Sequence, residues 1–148
     1  MNHRYLEWTL AGALLLGGGG VVAETSTTVE GYTIHHNALT TDMLEPQIAT
    51  AYGIQRSKNR GMLNVSVIKE VPGTTGQSVQ ATVRTQARSL SGQRWDLPMR
   101  EIKDGDAFYY IADFLVQNQE SLDFDIAVTP PGAAKPLSAH MSHQFFTD

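Results

Sequence analysis

The chain has 148 residues, with 15 acidic and 11 basic side chains, a formal net charge of −4 and no cysteine. The absence of cysteine excludes disulfides, thiolate metal sites and cysteine nucleophiles. A weakly acidic chain is a poor candidate for binding nucleic acid, because the phosphate backbone rewards clustered positive charge.

The N-terminal segment is typical of a secretory signal peptide. Arg4 gives a short positive region, residues 9–22 are apolar, and Ala23 follows as a small residue at a cleavage position. We expect cleavage after Ala23, a periplasmic location, and one mature domain spanning residues 24–148. The alternative is an uncleaved membrane anchor, but a spanning helix needs about 20 apolar residues, and this run is shorter. After cleavage no transmembrane span is expected.

One short helix is predicted after the first strand region. Pro46 suits the first helical turn, Ile48, Ala51 and Tyr52 would share one face, and Gly53 would cap the end. No other segment carries a helical pattern, so the rest of the mature chain is expected to form strands and turns.

Alternating apolar and polar residues, separated by Gly and Pro turns, predict about seven strands. Pro98 cannot donate to a ladder, so its strand is expected at an edge or with a bulge. The predicted fold is all-β, an immunoglobulin-like antiparallel β-sandwich, and an open barrel is the alternative because periodicity does not determine closure. The strands are predicted at 27–39, 63–71, 79–88, 95–99, 107–116, 122–128 and 137–147. The side chains predicted to point inward are Val65, Val67, Ala81, Phe124 and Ile126.

Three sequence blocks resemble a family of small secreted gammaproteobacterial proteins that contain a domain of unknown function. The blocks are AYGIQRSKNRG at residues 51–61, DGDAFYYIA at residues 104–112 and the terminal QFFTD at residues 144–148. The resemblance covers the chain from about Tyr32 to its end. It implies a periplasmic β-sandwich, and it implies no activity, because sandwiches host many unrelated functions.

The densest basic cluster is Arg56, Lys58 and Arg60, just after the predicted helix. Alternate residues of this segment could align and hold an anionic ligand or an acidic envelope protein. The structural alternatives are that Arg56 pins the loop by hydrogen bonds to carbonyl groups, or that the segment is a solvated connection.

A second, weaker candidate is a copper site that uses His140, Met141 and His143, since imidazole and thioether groups are reasonable copper ligands. Neighbouring residues of a strand point to opposite faces. Residues one or three positions apart in a strand lie on opposite faces, so the side chains of His35 and His36 should diverge, as should those of His140 and His143. We therefore expect neither a tight metal site nor a bound cofactor.

Motifs of common catalytic sites are missing from the sequence: it has no G-x-S-x-G elbow, H-E-x-x-H helix or phosphate-binding glycine loop. The leading hypothesis is a non-enzymatic periplasmic domain that binds a protein partner or a ligand. The alternatives are a periplasmic carrier of copper or a small anion, and a hydrolase whose site the sequence does not reveal.

Overall fold

The structure is a computed structural model that describes residues 25–148, so the predicted signal peptide lies outside the described residues. The described chain forms two antiparallel sheets that pack face to face. This confirms the predicted all-β sandwich with one short α-helix. Within this part of the chain, no helix is long and apolar enough to cross a membrane.

Ten strands, a 3-10 turn (Thr41–Met43) and one α-helix make up the regular structure of residues 25–148. The helix, α1, is Pro46–Tyr52. The strands in chain order are β1 (Thr25–Val29), β2 (Tyr32–Thr40), β3 (Arg60–Lys69), β4 (Gln77–Ser78), β5 (Thr82–Ser89), β6 (Arg94–Leu97), β7 (Arg100–Asp104), β8 (Ala107–Leu115), β9 (Ser121–Thr129) and β10 (Leu137–Gln144).

The first sheet has the order β1-β2-β3-β8-β7, with β4 pairing at the far end of β3. The second sheet has the order β10-β9-β5-β6. Pro98 lies between β6 and β7, each of which is at the edge of its sheet, so the missing N–H interrupts no central ladder. The chain crosses from one sheet to the other at this point, instead of forming the single predicted strand 95–99.

The first predicted strand region is a hairpin rather than one strand. Glu30 and Gly31 both have positive φ, at 50° and 83°. Two such residues in succession form the tight turn whose twist matches two antiparallel strands. Residues 25–148 contain ten strands, whereas about seven were predicted. The hairpin, the two-residue β4 and the break at Pro98 each add one strand.

The main core lies between the two sheets and follows the predicted alternation. Val65, Val67, Phe124 and Ile126 are buried there, and Ala81 packs against them as a half-buried residue. Along β9 every second side chain points inward, which is the period that a strand with one solvated face imposes.

A second apolar cluster lies on the other face of the first sheet, beneath α1. Ile48, Ala49 and Tyr52 are the buried residues of this helix, whereas Ala51 is exposed. The prediction that Ala51 shares the buried face was therefore wrong. Residues three and four positions before Tyr52, which are Ala49 and Ile48, lie on the same side of a helix as Tyr52. Gly53 caps the helix with φ 69°, as predicted.

Candidate functional site

The basic segment connects α1 to β3, and its first residue ties that connection to the preceding turn. Arg56 Nε donates to the carbonyl oxygen of Leu44 over 2.7 Å, and its Nη2 donates to that of Asp42 over 2.8 Å. Arg56 thus has the geometry of a structural residue that holds two chain segments together, with a planar guanidinium suited to two acceptors.

The other two basic residues have different surroundings. Arg60 pairs with Asp113 across the β3–β8 ladder, with both Nε and Nη2 within 2.9 Å of one carboxylate oxygen. Lys58 is exposed, and no ion pair of Lys58 is found in residues 25–148. The three side chains therefore do not present three uncommitted charges to one ligand.

The Arg56 contacts predict a stability effect. Arg56→Ala should lower the free energy of unfolding by about 1–3 kcal/mol, because two carbonyl groups lose a charged donor. Lys58→Ala is the comparison variant, because Lys58 is exposed and forms no ion pair in residues 25–148, and chemical denaturation measures both. A loss below about 0.5 kcal/mol for Arg56→Ala would show that solvent replaces these hydrogen bonds.

The candidate copper ligands lie on opposite faces of β10. His140 is 54% exposed and its Nδ1 lies 3.0 Å from Asp125 Oδ1 on the outer face. Met141 is buried in the core between the sheets, and His143 packs edge-on against Phe145 at a centroid distance of 4.7 Å. Burial lowers the pKa of His143, since desolvation disfavours the charged imidazole.

Metal-ligating side chains do not converge elsewhere in the described chain. In residues 25–148 no group of three or more His, Cys, Asp or Glu residues is placed to hold a metal ion. His36 is buried and its two ring nitrogens lie 2.7 Å and 3.0 Å from the hydroxyls of Thr25 and Thr27. These contacts place the imidazole in a hydrogen-bonded structural position at the edge of the sandwich.

The outer face of β9 and β10 brings serine, aspartate and histidine together, but not as a nucleophilic site. The Ser142 hydroxyl donates to Asp123, whereas His140 pairs with the neighbouring Asp125. An activated serine needs a base that accepts its proton. The Ser142 hydrogen bond, followed by that of Arg88, lowers the pKa of Asp123, which makes this carboxylate a weaker base.

A groove opens where β3 and β8 separate. Their ladder ends at the pair Val65 and Tyr110, although β8 continues back to Ala107 beside β7. β3 then pairs with β4, and the backbone N–H of Phe108 donates to Ser78 Oγ over 3.0 Å across the split. The resulting groove has a volume of about 910 Å³.

The groove lining is mostly polar, with two aromatic side chains. Asn64 is 7% exposed, and its Oδ1 has no hydrogen-bond partner in the described part of the chain. Its Nδ2 lies 3.4 Å from Asn37 Oδ1, which is a long hydrogen bond. The other polar or aromatic residues of the lining are His35, Ser66, Thr75, Gln77, Ser78, Lys103, Asp106, Phe108 and Tyr109.

An unsatisfied buried acceptor is costly, by about 1–3 kcal/mol, unless a ligand or water approaches it. Asn64 thus places a buried acceptor without a donor from residues 25–148 beside the groove. Asn64 was not among the residues predicted to bind a ligand, because polar residues that alternate with the inward-pointing Val65 and Val67 are typical of a solvated strand face. An asparagine flanked by Leu63 and Val65 in an apolar strand was the available signal.

The comparisons with known proteins concern family and fold. A family model described as a domain of unknown function, DUF4426, matches residues 26–148. A crystal structure of a DUF4426 protein from Pseudomonas aeruginosa PAO1 is 28% identical, covers 84% of this chain and 96% of its own, and has a TM-score of 0.72. No curated protein matches the sequence.

Two solved structures of FetP from uropathogenic Escherichia coli strain F11 share the fold at 14% identity. Their TM-scores are 0.58 and 0.59, and each alignment covers 84% of this chain and 95% of FetP. One is FetP as isolated after periplasmic expression, and the other is a copper-bound variant. At this identity the likeness establishes the sandwich fold alone.

Proposed function

Since the chain belongs to the DUF4426 family, a domain of unknown function, we propose that it is a non-enzymatic domain that binds a small polar ligand in the groove between β3 and β8. The proposed setting is the periplasm, in keeping with the signal-like N-terminal segment.

The buried carbonyl oxygen of Asn64 is the observation that carries this proposal. Most buried polar atoms in folded proteins have a hydrogen-bond partner, so an orphaned one beside a groove favours a site for a donor group. The volume of about 910 Å³ falls in the range of small-molecule sites, about 300–1,000 Å³. Hydroxyl and amide groups around it supply further donors and acceptors.

The basic segment of Arg56, Lys58 and Arg60 is a weaker candidate binding site than the groove, and it was the predicted site of the small-anion carrier hypothesis. Arg56 is committed to two carbonyl groups and Arg60 to Asp113, which leaves the exposed Lys58. An isolated exposed lysine binds an anion weakly, because water and salt screen its charge.

Ligand binding is tested by thermal denaturation in the presence of a panel of small molecules. The panel contains L-amino acids, dipeptides, monosaccharides, polyamines and dicarboxylates at millimolar concentration. We expect at least one class to raise the melting temperature, since a ligand at 100 times its Kd stabilises a protein by about 2.7 kcal/mol.

Asn64→Ala and Ser66→Ala should abolish that rise, and Asn59→Ala is the matched control, because Asn59 precedes the other end of β3. Ser66 is half-buried, so its variant keeps the test valid if Asn64→Ala folds poorly. The proposal is wrong if no class raises the melting temperature, or if the rise persists in both groove variants.

A copper carrier is the second candidate function, favoured by the fold shared with copper-bound FetP. Calorimetric titration with Cu²⁺ tests it. We expect no submicromolar site, because His140 lies on the face of β10 opposite to Met141 and His143. Tight binding that His140→Ala or His143→Ala abolishes would overturn this expectation and revive the carrier hypothesis.

A further inference from the structure

We propose that β7 is the contact strand of a homodimer, in which two copies of the chain pair their β7 strands antiparallel about a two-fold axis at Ile102. The contact does not depend on a ligand in the groove. In residues 25–148, β7 pairs with β8 on one side and with no strand on the other. Such an edge presents backbone N–H and C=O groups with which another strand can pair.

The backbone groups at this free edge belong to Glu101 and Lys103. The hairpin of β7 and β8 has a two-residue turn, because Asp104 lies opposite Ala107. A hairpin of this kind is closed by a pair that exchanges both hydrogen bonds, and bonded and non-bonded pairs alternate from there. The N–H and C=O groups of Glu101 and Lys103 therefore point away from β8. Neither residue takes part in the backbone hydrogen bonds of turns and loops in the described chain.

The charges of β7 complement those of an antiparallel second copy. In chain order the strand reads Arg100, Glu101, Ile102, Lys103 and Asp104. With Ile102 on the two-fold axis, Glu101 lies opposite Lys103 of the second copy, and Arg100 lies opposite its Asp104. The neighbouring registers place Glu101 opposite Glu101 or Lys103 opposite Lys103, and like charges directly opposite are destabilising. Charge therefore selects one register.

The two central side chains are placed to form this cross-copy ion pair. Glu101 and Lys103 are exposed, and they share a face because they are two positions apart. The Glu101 carboxylate accepts from Tyr110 Oη and Gln80 Nε2, each over 2.9 Å, and the Nζ of Lys103 lies 5.8 Å from the ring centroid of Phe108. Within residues 25–148 neither charge forms an ion pair, so each can meet the opposite charge of a second copy.

The other sheet edges fit this role less well. β1 and β10 contain no lysine, arginine, aspartate or glutamate that could fix a register. β6 has one charge of each sign, but it is four residues long and Pro98, which has no N–H, follows it. In β7, Arg100 also donates to the carbonyl oxygen of Tyr52, so the pair of Glu101 and Lys103 dominates the expected contact.

Sedimentation velocity at micromolar to millimolar protein concentration tests the proposal. We expect a dimer that salt weakens, because salt screens exposed ion pairs. Lys103→Glu should weaken dimerisation about 10-fold or more, since it places carboxylates opposite each other. Adding Glu101→Lys to this variant should restore dimerisation, because each charge again meets its opposite.

Lys103→Pro tests the backbone pairing separately. This substitution removes an N–H that points away from β8, so the circular dichroism spectrum should be kept while the dimer is lost. Lys103→Glu and Lys103→Pro leave the hydrogen bonds of Glu101 in place, and they decide the outcome if the double variant folds poorly. Lys58→Glu is the matched control, because Lys58 is exposed outside β7, and it should dimerise as the unaltered protein does.

Two results would overturn the proposed β7 contact. One is a protein that remains monomeric at millimolar concentration. The other is a dimer that forms equally well with Lys103→Glu and with Lys103→Pro, which would assign the contact to another surface.

Discussion

Phe124→Ala is expected to lower the free energy of unfolding by about 3–5 kcal/mol, the largest loss among the variants considered for this chain. Phe124 is fully buried in β9, and its ring lies 5.9 Å from that of Phe114 on the opposite sheet. Truncation removes the buried ring and leaves a cavity between two sheets that cannot close over it.

The matched control is Phe146→Ala, because Phe146 is 58% exposed near the C-terminus. The same phenylalanine-to-alanine substitution at this exposed position should lower the free energy of unfolding by less than about 0.5 kcal/mol. Urea denaturation of the two variants measures the difference. A loss below about 1 kcal/mol for Phe124→Ala would mean that this ring does not fill the core between the sheets.

Ile48→Ala should have the second largest effect, about 2–5 kcal/mol. Ile48 is 3% exposed and packs beneath α1 in the cluster on the other face of the first sheet. A seven-residue helix is too short to be stable alone, so packing of this face holds it in place.

Gln47→Ala is the control for Ile48→Ala, since Gln47 is exposed in the same helix and alanine keeps the helical propensity. Thermal unfolding followed by circular dichroism should show a drop of roughly 6 °C or more for Ile48→Ala. Equal melting temperatures for the two variants would show that α1 contributes little to the stability of the sandwich.

The sandwich could be predicted because its signal is local. In β9 the alternation of Leu122, Phe124 and Ile126 with polar neighbours fixes which face is buried. The hairpin at Glu30 and Gly31 was harder, because the glutamate has no intrinsic preference for the positive φ that it adopts. The number of strands was therefore underestimated, because the amino-acid types at Glu30 and Gly31 do not by themselves reveal the backbone turn there.

The groove could not be predicted, because it depends on which strands pair and where they separate. Asn64 and Ser66 fit a solvated strand face as well as a ligand site until β8 is known to leave β3 beyond Val65. The charges of the basic segment were visible in the sequence, whereas the carbonyl groups that occupy Arg56 belong to residues 12 and 14 positions away.

Chemical-shift mapping by nuclear magnetic resonance tests the central claim most directly. The ¹⁵N-labelled protein is titrated with the panel member that raises its melting temperature most. We predict the largest shifts at the backbone amides of Ser66 and Tyr109 and the side-chain amide of Asn64. Shifts centred instead on Arg56 and Lys58, or on His140, would contradict the assignment of the groove as the binding site.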